Sequence, residues 1–475
     1  MNSKLINLIK KYHNFIAWFF IFVIIFALYY PALHGTFILD DYVWIEPLNL
    51  AQIGHLFIGS WEHGNTLRPI MRLLFFASRI MFDEWPFGWH LINIFLHTSI
   101  TWFIYFILQK ISKKHLLPIL IALLFAVHPD HHEVVAWISG QTHSWGLLIS
   151  LISGLFFYLS FTKLQKNKLN ITLAYIFLIL GFLTYEVSFA VPLILTTTLI
   201  IFKELRNKKN YLLTFCTFLI LGMLIVYRYF ILGKSLGSVG TNQSNIFLAP
   251  FHNLRSVVLL FFYTKQILLS YLALFILIIT ASYKYFFKTN LYLKLTLLSF
   301  ASVVITYLPF AIVKGVAPRF LYSSIFFFIL GLGFFILAIK QEKKIINYLI
   351  YVSIAITLIL SLTRATQTIS QYKKLTDTYT LVRNQVTTDY PTWPDKKDML
   401  FYDIPNGIPD GNRSILAFLT YFDKEILYGY KNQTISGKIY RAEKLSSENL
   451  QKLLDNKPII YKFKNLESGL EKISD

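Results

Sequence analysis

Residues 128–133 read His128-Pro129-Asp130-His131-His132-Glu133, which gathers three of the chain's 12 histidines and two acids into one short stretch. Side chains of these types serve as metal ligands, as general acids and bases, or as hydrogen-bond partners of a polar substrate. His128 and His132 stand four apart and would share one face of a continuous helix, but Pro129 between them favours a helix start. A zinc-protease helix needs His-Glu-x-x-His; Ala136 takes the last of those positions, which excludes that reading. Trp137 and Gln141-Thr142-His143 follow directly. A second group is the adjacent pair Asp40-Asp41. Neighbouring carboxylates repel, which raises one pKa and suits a general base. Together with His128 they would also hold a divalent cation such as Mg or Mn. An acid pair at a helix end facing solvent is the plainer alternative. Glu186 is a lone carboxylate between two apolar runs, so it either closes a tight turn or lines a pocket.

The basic residues offer a complement. Arg68, Arg72 and Arg79 fall on one side of a stretch that follows Asn65, and Arg255, Lys265, Lys314 and Arg319 come from later segments. Cations at the edge of an acyl layer suit lipid phosphate, and arginine binds it bidentately. Snorkelling anchors are the alternative, favoured at Arg79 and Lys265. Arg319 stands apart, because Val316-Ala317-Pro318-Arg319-Phe320-Leu321-Tyr322 puts it at the mouth of an apolar, aromatic segment. Trp44, Trp61, Trp85, Trp89, Trp137 and Trp145 gather near the same segments and read as an aromatic belt.

The elements that must position these groups are membrane spans. The chain has 475 residues, 55% of them hydrophobic and 15% charged, and the apolar residues come in blocks long enough to cross a bilayer. Without water to satisfy the backbone, such blocks are helices, and no strand alternation suggests a barrel. The expected spans are 14–33, 88–109, 116–128, 146–162, 170–186, 188–203, 211–232, 267–286, 291–312, 320–339 and 345–363. Basic clusters recur on alternate connections: Lys110/Lys113/Lys114, Lys163/Lys166/Lys168, Lys203/Arg206/Lys208/Lys209, Lys284/Lys288/Lys294 and Lys340/Lys343/Lys344. The formal charge of +20 is therefore a positive-inside pattern rather than a nucleic-acid surface. The N-terminus lies in the cytoplasm, its first apolar run being a retained span. Every candidate group lies on the opposite, extracytoplasmic side. Segments 48–57 and 69–82 read as short interfacial helices, and the loop 233–265 as a glycine-rich start with an interfacial helix. The only cysteine, Cys216, sits in an apolar run, so no disulfide framework exists, which fits an inner-membrane protein of a bacterial envelope. After Ser361 the composition turns polar. Residues 1–363 form the expected transmembrane domain and 364–475 a small soluble α/β domain outside the membrane. That tail is expected to hold a helix over 364–387, strands over 399–404 and 458–463, and a turn-rich loop over 405–411.

The acid pair after the first span, Phe125-Ala126-Val127-His128-Pro129 with Glu133 ending the third, Glu186 before Pro192, and Arg319-Phe320-Leu321-Tyr322 opening a late span make up a pattern. Together with Gly88-Trp89-His90-Leu91-Ile92-Asn93-Ile94-Phe95-Leu96-His97, it resembles the GT-C glycosyltransferases. Within that fold it is most similar to the protein O-mannosyltransferases whose relatives carry tetratricopeptide repeats. The likeness covers roughly residues 30–340. It implies transfer of a sugar, mannose in that branch, from a polyprenyl-phosphate donor to a hydroxyl acceptor on the outer face, with inversion. By that resemblance Asp40 is the base and Asp41 assists. By the same resemblance His128 and Glu133 line the substrate cleft and Arg319 holds the lipid phosphate; His132, His143, Glu186 and Arg68 are expected beside them from their types and positions. Members of the fold work with or without a metal. Where some relatives continue Gly-Arg-Ala-Asp, this chain has Gly140-Gln141-Thr142-His143. A short tail stands in place of the repeats, so the implied acceptor is a protein or a glycan. A transporter of a lipid-linked intermediate and a non-catalytic envelope assembly factor are the competing classes. The first lacks the expected internal repeats and midplane charges.

Overall fold

A computed structural model describes residues 3–59, 67–162, 168–232, 271, 291–311, 317–338, 344–394, 397–403, 408–410, 413–415, 426, 430, 438–465 and 468–474. The chain starts with α1 (Ser3–Tyr29), followed by the short α2 (Asp41–Trp44), α3 (Leu50–Ile58) and α4 (Pro69–Phe82). Next come α5 (Pro86–Ser112), α6 (Leu116–Ala126), α7 (His132–Val135) and α8 (Gln141–Thr162). They are followed by α9 (Lys168–Phe182), α10 (Val191–Ile201), α11 (Lys208–Leu232), α12 (Leu291–Ala311), α13 (Tyr322–Ala338) and α14 (Lys344–Asp389). Among the described residues seven helical segments are long and apolar enough to cross a membrane, and three more are apolar but shorter. These coincide with ten of the expected spans. The protein is thus a polytopic helical membrane protein with a small α/β unit at its end. The expected span 267–286, the loop 233–265 with Arg255 and Lys265, and Trp61, Asn65 and Lys314 lie outside the described residues.

Local chemistry accounts for the elements. Asn49 and Gln52 form a reciprocal capping box at the start of α3, and Pro69 and Pro86 open α4 and α5, where a missing N–H costs nothing. Within α10, Thr196, Thr197 and Thr198 return their hydroxyls to the carbonyls of Pro192, Leu193 and Ile194 at 2.8–2.9 Å, so polar residues in an apolar helix leave no donor unmet. Helices α1, α5, α6, α8, α12 and α13 pack into one bundle. Gly333 on α13 admits the close approach of α5, since a Cβ there would stand 2.7 Å from Leu108.

Helix α6 is only 11 residues, roughly 16 Å long, about half of a bilayer's hydrocarbon thickness. The chain continues from it not as an exposed loop but as a buried segment, two 3₁₀ turns (Pro129–His131 and Ile138–Gly140) around α7, and every residue from 124 to 144 is buried. Irregular backbone at such depth persists only where protein satisfies it. Helix α5 does so. Asn93 donates its amide to the carbonyls of Trp137 (2.7 Å), Val135 (3.2 Å) and, at longer range, Val134 (3.4 Å). One turn further, His97 Nε2 donates to the Ala126 carbonyl at 3.1 Å, which leaves Nδ1 to accept from the Tyr322 hydroxyl at 2.8 Å. Gly140 closes the segment on itself; a Cβ there would lie 2.2 Å from the Glu133 carbonyl oxygen.

The last helix differs from expectation in length. A span over 345–363 and a helix over 364–387 are one unbroken 46-residue helix, α14. The position 363/364 proposed to divide two domains falls inside it. Helix α14 packs along the Tyr30–His34 turn, α6 and the Pro129–His131 turn. The buried core runs without a break from Ile25 and Phe125 through Tyr372 and Tyr379 to Phe401 and Tyr461. That far end holds β1 (Met399–Tyr402), β2 (Ile408–Asp410), β3 (Arg413–Ile415), β4 (Ile439–Arg441), α15 (Ser447–Asp455), β5 (Ile459–Asn465) and β6 (Gly469–Ser474). The sheet order is β4-β1-β5-β6, parallel across β4, β1 and β5 and antiparallel at β6; β2 and β3 pair separately. The expected strands are thus found at 399–402 and 459–465, while 405–407 and Gly411 lie outside the described residues. The fold predicts that Asn93→Leu, which leaves buried carbonyls without donors, lowers stability by about 1–3 kcal/mol. A thermal unfolding midpoint in detergent equal to wild type would refute the role given to Asn93.

Candidate active site

The buried segment 128–143 contacts Asp41 through Ser139, Arg319 through Glu133, and Tyr185, beside Arg68 and Glu186, through His143. At one end is the acid pair, and the two carboxylates have different surroundings. Asp41 is fully buried. Its Oδ1 accepts the Ser139 amide (2.8 Å) and the Ser139 hydroxyl, and its Oδ2 accepts the Ile38 amide at 2.9 Å. Asp40 occupies the cap position of α2, is partly exposed, and makes no side-chain hydrogen bond among the described residues. Arg72, expected beside lipid phosphate, is buried instead: its guanidinium donates to the carbonyls of Trp44 and Glu46 and closes the other end of α2. Trp44 and Trp89 likewise belong to a small core with Phe37, Met71 and Phe75 rather than to a belt, whereas Trp85 is exposed.

Burial drives the Asp41 carboxyl up to about 7, against the Ile38 and Ser139 donors that hold it down; the charge of Asp40 adds to the rise. His131 shows the same influence of burial. With the neighbouring His97 and His128 it pushes the imidazole well below the ordinary range, against the Phe125 backbone that holds it up. The histidines therefore serve the segment itself. His128 Nδ1 accepts the Asp130 amide at 3.3 Å, His132 Nδ1 donates to the Pro129 carbonyl at 3.1 Å, and His131 packs among Phe125, His97 and Tyr322. Among the described residues no group of three or more His, Cys, Asp or Glu is arranged to hold a metal ion. With both Asp41 oxygens occupied, the set Asp40, Asp41 and His128 fits a divalent cation poorly.

At the middle of the segment Glu133 accepts from Arg319 Nη1 at 3.0 Å. Arg319 keeps 28% of its side chain exposed, and its guanidinium carbon stands 5.4 Å from the Trp137 ring centre and 5.1 Å from that of Phe320. At the far end His143 Nε2 lies 2.9 Å from the Tyr185 hydroxyl. Arg68 lies over the Tyr185 ring at 4.5 Å and forms a two-point ion pair with Glu186, at 2.7 Å from Nη2 and 3.2 Å from Nε. A third partner was not foreseen: Arg228 on α11 donates from Nη2 to Glu186 at 2.9 Å and to the Leu67 carbonyl at 3.0 Å. Its signal in the sequence is an isolated arginine within the apolar run 219–230. Ser139 was missed as well, and only its contact with Asp41 reveals it. Glu186 thus both closes the tight turn between α9 and α10 and joins a polar cluster. Arg79 pairs with Asp83 and Glu84 at the end of α4, away from this cluster.

No known family profile matches the chain. Over shorter stretches it is 30% identical across 156 residues to protein O-mannosyl-transferase Tmtc1 of Drosophila melanogaster and 30% across 154 residues to protein O-mannosyl-transferase TMTC1 of Mus musculus. It is 37% identical across 125 residues to protein O-mannosyl-transferase TMTC4 of Homo sapiens. These stretches cover 30%, 29% and 22% of this chain, and 18%, 16% and 16% of those proteins. The chain therefore matches less than a fifth of the length of these curated relatives, and its resemblance to the O-mannosyltransferases rests on that part.

The Asp41 geometry makes stability depend on pH in a definite direction. A carboxyl whose folded pKa is raised binds protons more tightly when folded, so its contribution is full below about pH 4 and fades as pH rises through about 7. Thermal midpoints of the wild-type protein should fall between about pH 5 and about pH 8, and those of Asp41→Asn should fall less. Parallel profiles would show that Asp41 does not titrate in this range.

Proposed function

We propose that the chain is a membrane glycosyltransferase that moves mannose from a polyprenyl-phosphate donor to a hydroxyl of a protein or glycan at the extracytoplasmic face of the cell membrane. One observation carries this reading: of two adjacent acids, Asp41 is fixed by three hydrogen bonds and Asp40 is left without a hydrogen-bond partner among the described residues. A base must keep its lone pairs for the incoming proton; three of those on Asp41 are taken, whereas those of Asp40 are all free among the described residues. Ser139, which holds Asp41, and Glu133, which holds Arg319, belong to the same short segment, folded back on itself at Gly140. The motifs shared with the O-mannosyltransferases support the same assignment, and the named relatives add to it.

In this reaction Asp40 takes the proton of the acceptor hydroxyl as its oxygen attacks the anomeric carbon. The bond from that carbon to the phosphate oxygen breaks on the opposite side, so configuration inverts. The lipid phosphate leaves with the bonding electron pair, and the guanidinium groups at the rim stabilise its added charge. Asp41 is a positioning residue: through Ser139 it fixes the base loop to the segment that carries Glu133, the partner of Arg319.

Purified protein in detergent, supplied with labelled polyprenyl-phosphate mannose and hydroxyl-bearing peptide or glycan acceptors, should transfer sugar. Asp40→Asn should slow that transfer by about 10²–10⁴-fold while leaving the thermal midpoint within a degree or so of wild type. Equal rates for the two proteins would remove Asp40 from the mechanism and favour the assembly-factor reading.

A further inference from the structure

The ion pairs on the site face do not balance. Arg319 is matched by Glu133, one charge against one. Around Glu186, however, two guanidinium groups share a single carboxylate, at 2.7 and 2.9 Å. Arg228 is 1% exposed, and only Nη2 is used; Nε and both protons of Nη1 are buried without a hydrogen-bond partner. An uncompensated guanidinium in a dry site is costly, and structures keep one where an anion completes it. The surroundings narrow the choice of anion. Arg228 lies one turn from the end of α11, Arg68 opens the amphipathic helix α4, and the side chains beside them are the rings of Phe189 and Tyr185. Apolar rings on one side and guanidinium donors on the other, close to the end of a membrane-length helix, suit the phosphate of a lipid.

We infer that Arg68 and Arg228, with Glu186 between them, form a binding site for the singly charged phosphate of a lipid. Among the described residues the surplus is one positive charge, which a phosphodiester such as a sugar-bearing polyprenyl monophosphate neutralises; a diphosphate would overfill it. Glu186 holds the two arginines in place and competes with the ligand for their protons. The site is separate from the Glu133–Arg319 pair. His143 lies between the two, in ring contact with Phe320 beside Arg319 and hydrogen-bonded to Tyr185 beneath Arg68. The inference rests on the glycosyl-transfer reading only for the identity of the lipid, not for the existence of the site.

The test is binding without turnover, so it stands apart from the transfer assay. Full-length wild type, Glu186→Gln, Arg228→Gln and Arg68→Gln are placed in phosphatidylcholine nanodiscs. Each is titrated with a sugar-bearing polyprenyl monophosphate, with phosphatidylglycerol or with inorganic phosphate, reading the thermal midpoint and the lipid retained. Lipid phosphate should raise the wild-type midpoint, and raise that of Glu186→Gln more, because removal of the competing carboxylate frees two guanidinium groups. Arg228→Gln should bind about 10–100-fold more weakly, as loss of a charge-assisted contact requires. Arg68→Gln, altered at a residue 21% exposed, gives the same reading if Arg228→Gln does not fold. Preference for the sugar-bearing polyprenyl monophosphate over phosphatidylglycerol identifies the donor, and equal response identifies a headgroup site. The inference fails if neither lipid shifts any midpoint, if inorganic phosphate does as well as the lipids, or if Glu186→Gln is destabilised and no lipid restores it. That last result is the behaviour of a purely structural ion pair.

Discussion

Backbone amides and carbonyls buried away from water must find partners inside the protein, and in this chain that requirement falls hardest on residues 124–144. A helix would satisfy them internally, but Pro129 interrupts one and α6 stops at Ala126. The partners come instead from side chains of neighbouring elements: Asn93 and His97 on successive turns of α5, and Asp41 from the loop after α1. Each is a polar residue fully buried among apolar helices, and each is tolerated there because it relieves a larger cost. The same contacts hold the segment in one conformation, and the segment in turn fixes Ser139, Glu133 and His143. Folding and site geometry therefore depend on one set of hydrogen bonds.

Charge is handled under the same constraint. Apart from Asp40, the described acids and cations of the site face named above occur as hydrogen-bonded groups: Arg72 on two carbonyls, Arg319 on Glu133, Arg68 and Arg228 on Glu186. A pair broken on one side would leave a charge in a medium that screens it poorly, at a cost of roughly 3–5 kcal/mol. These pairs hold the guanidinium groups in place in advance, which the proposed reaction needs, since donors already in place require no reorganisation as charge develops on a leaving phosphate.

How much of this was legible in the sequence follows from what each residue answers to. Spans answer to composition and charge alternation, both local, so the helices and the two interfacial segments were readable; the ends of α3 and α4 were set by Asn49 and Pro69. That Asp41, Glu133, His143, Glu186 and Arg319 would need partners was also readable, because polar residues at the ends of apolar runs are rare. Their partners were not, since Ser139 with Asp41 and Arg228 with Glu186 are contacts between distant segments, and neither Ser139 nor a single arginine near a span end has a distinctive spacing. The histidine group misdirects for a related reason. Its density suggests metal ligation, yet the ring nitrogens of His128 and His132 serve their own turn, a use that leaves no periodic trace. Polar composition after Ser361 suggested a boundary, but α14 continues through it, because helix continuity depends on what the polar turns pack against.

The division between two adjacent acids can itself be derived. Leu39 is held at a φ of 54°, a left-handed conformation that costs a non-glycine residue about 1–2 kcal/mol, and burial of its side chain keeps it there. The turn it makes brings Ile38 N–H toward the chain that follows, where Asp41 receives it. Asp40 and Asp41 then fall on consecutive positions at the start of α2, and successive helical side chains diverge by about 100°. One carboxylate turned inward to Ser139 therefore leaves the next one facing away from the core. Neither burial nor exposure is chosen residue by residue: the strained turn at Leu39 and the donor at Ser139 together select which acid anchors the loop and which stays available for chemistry.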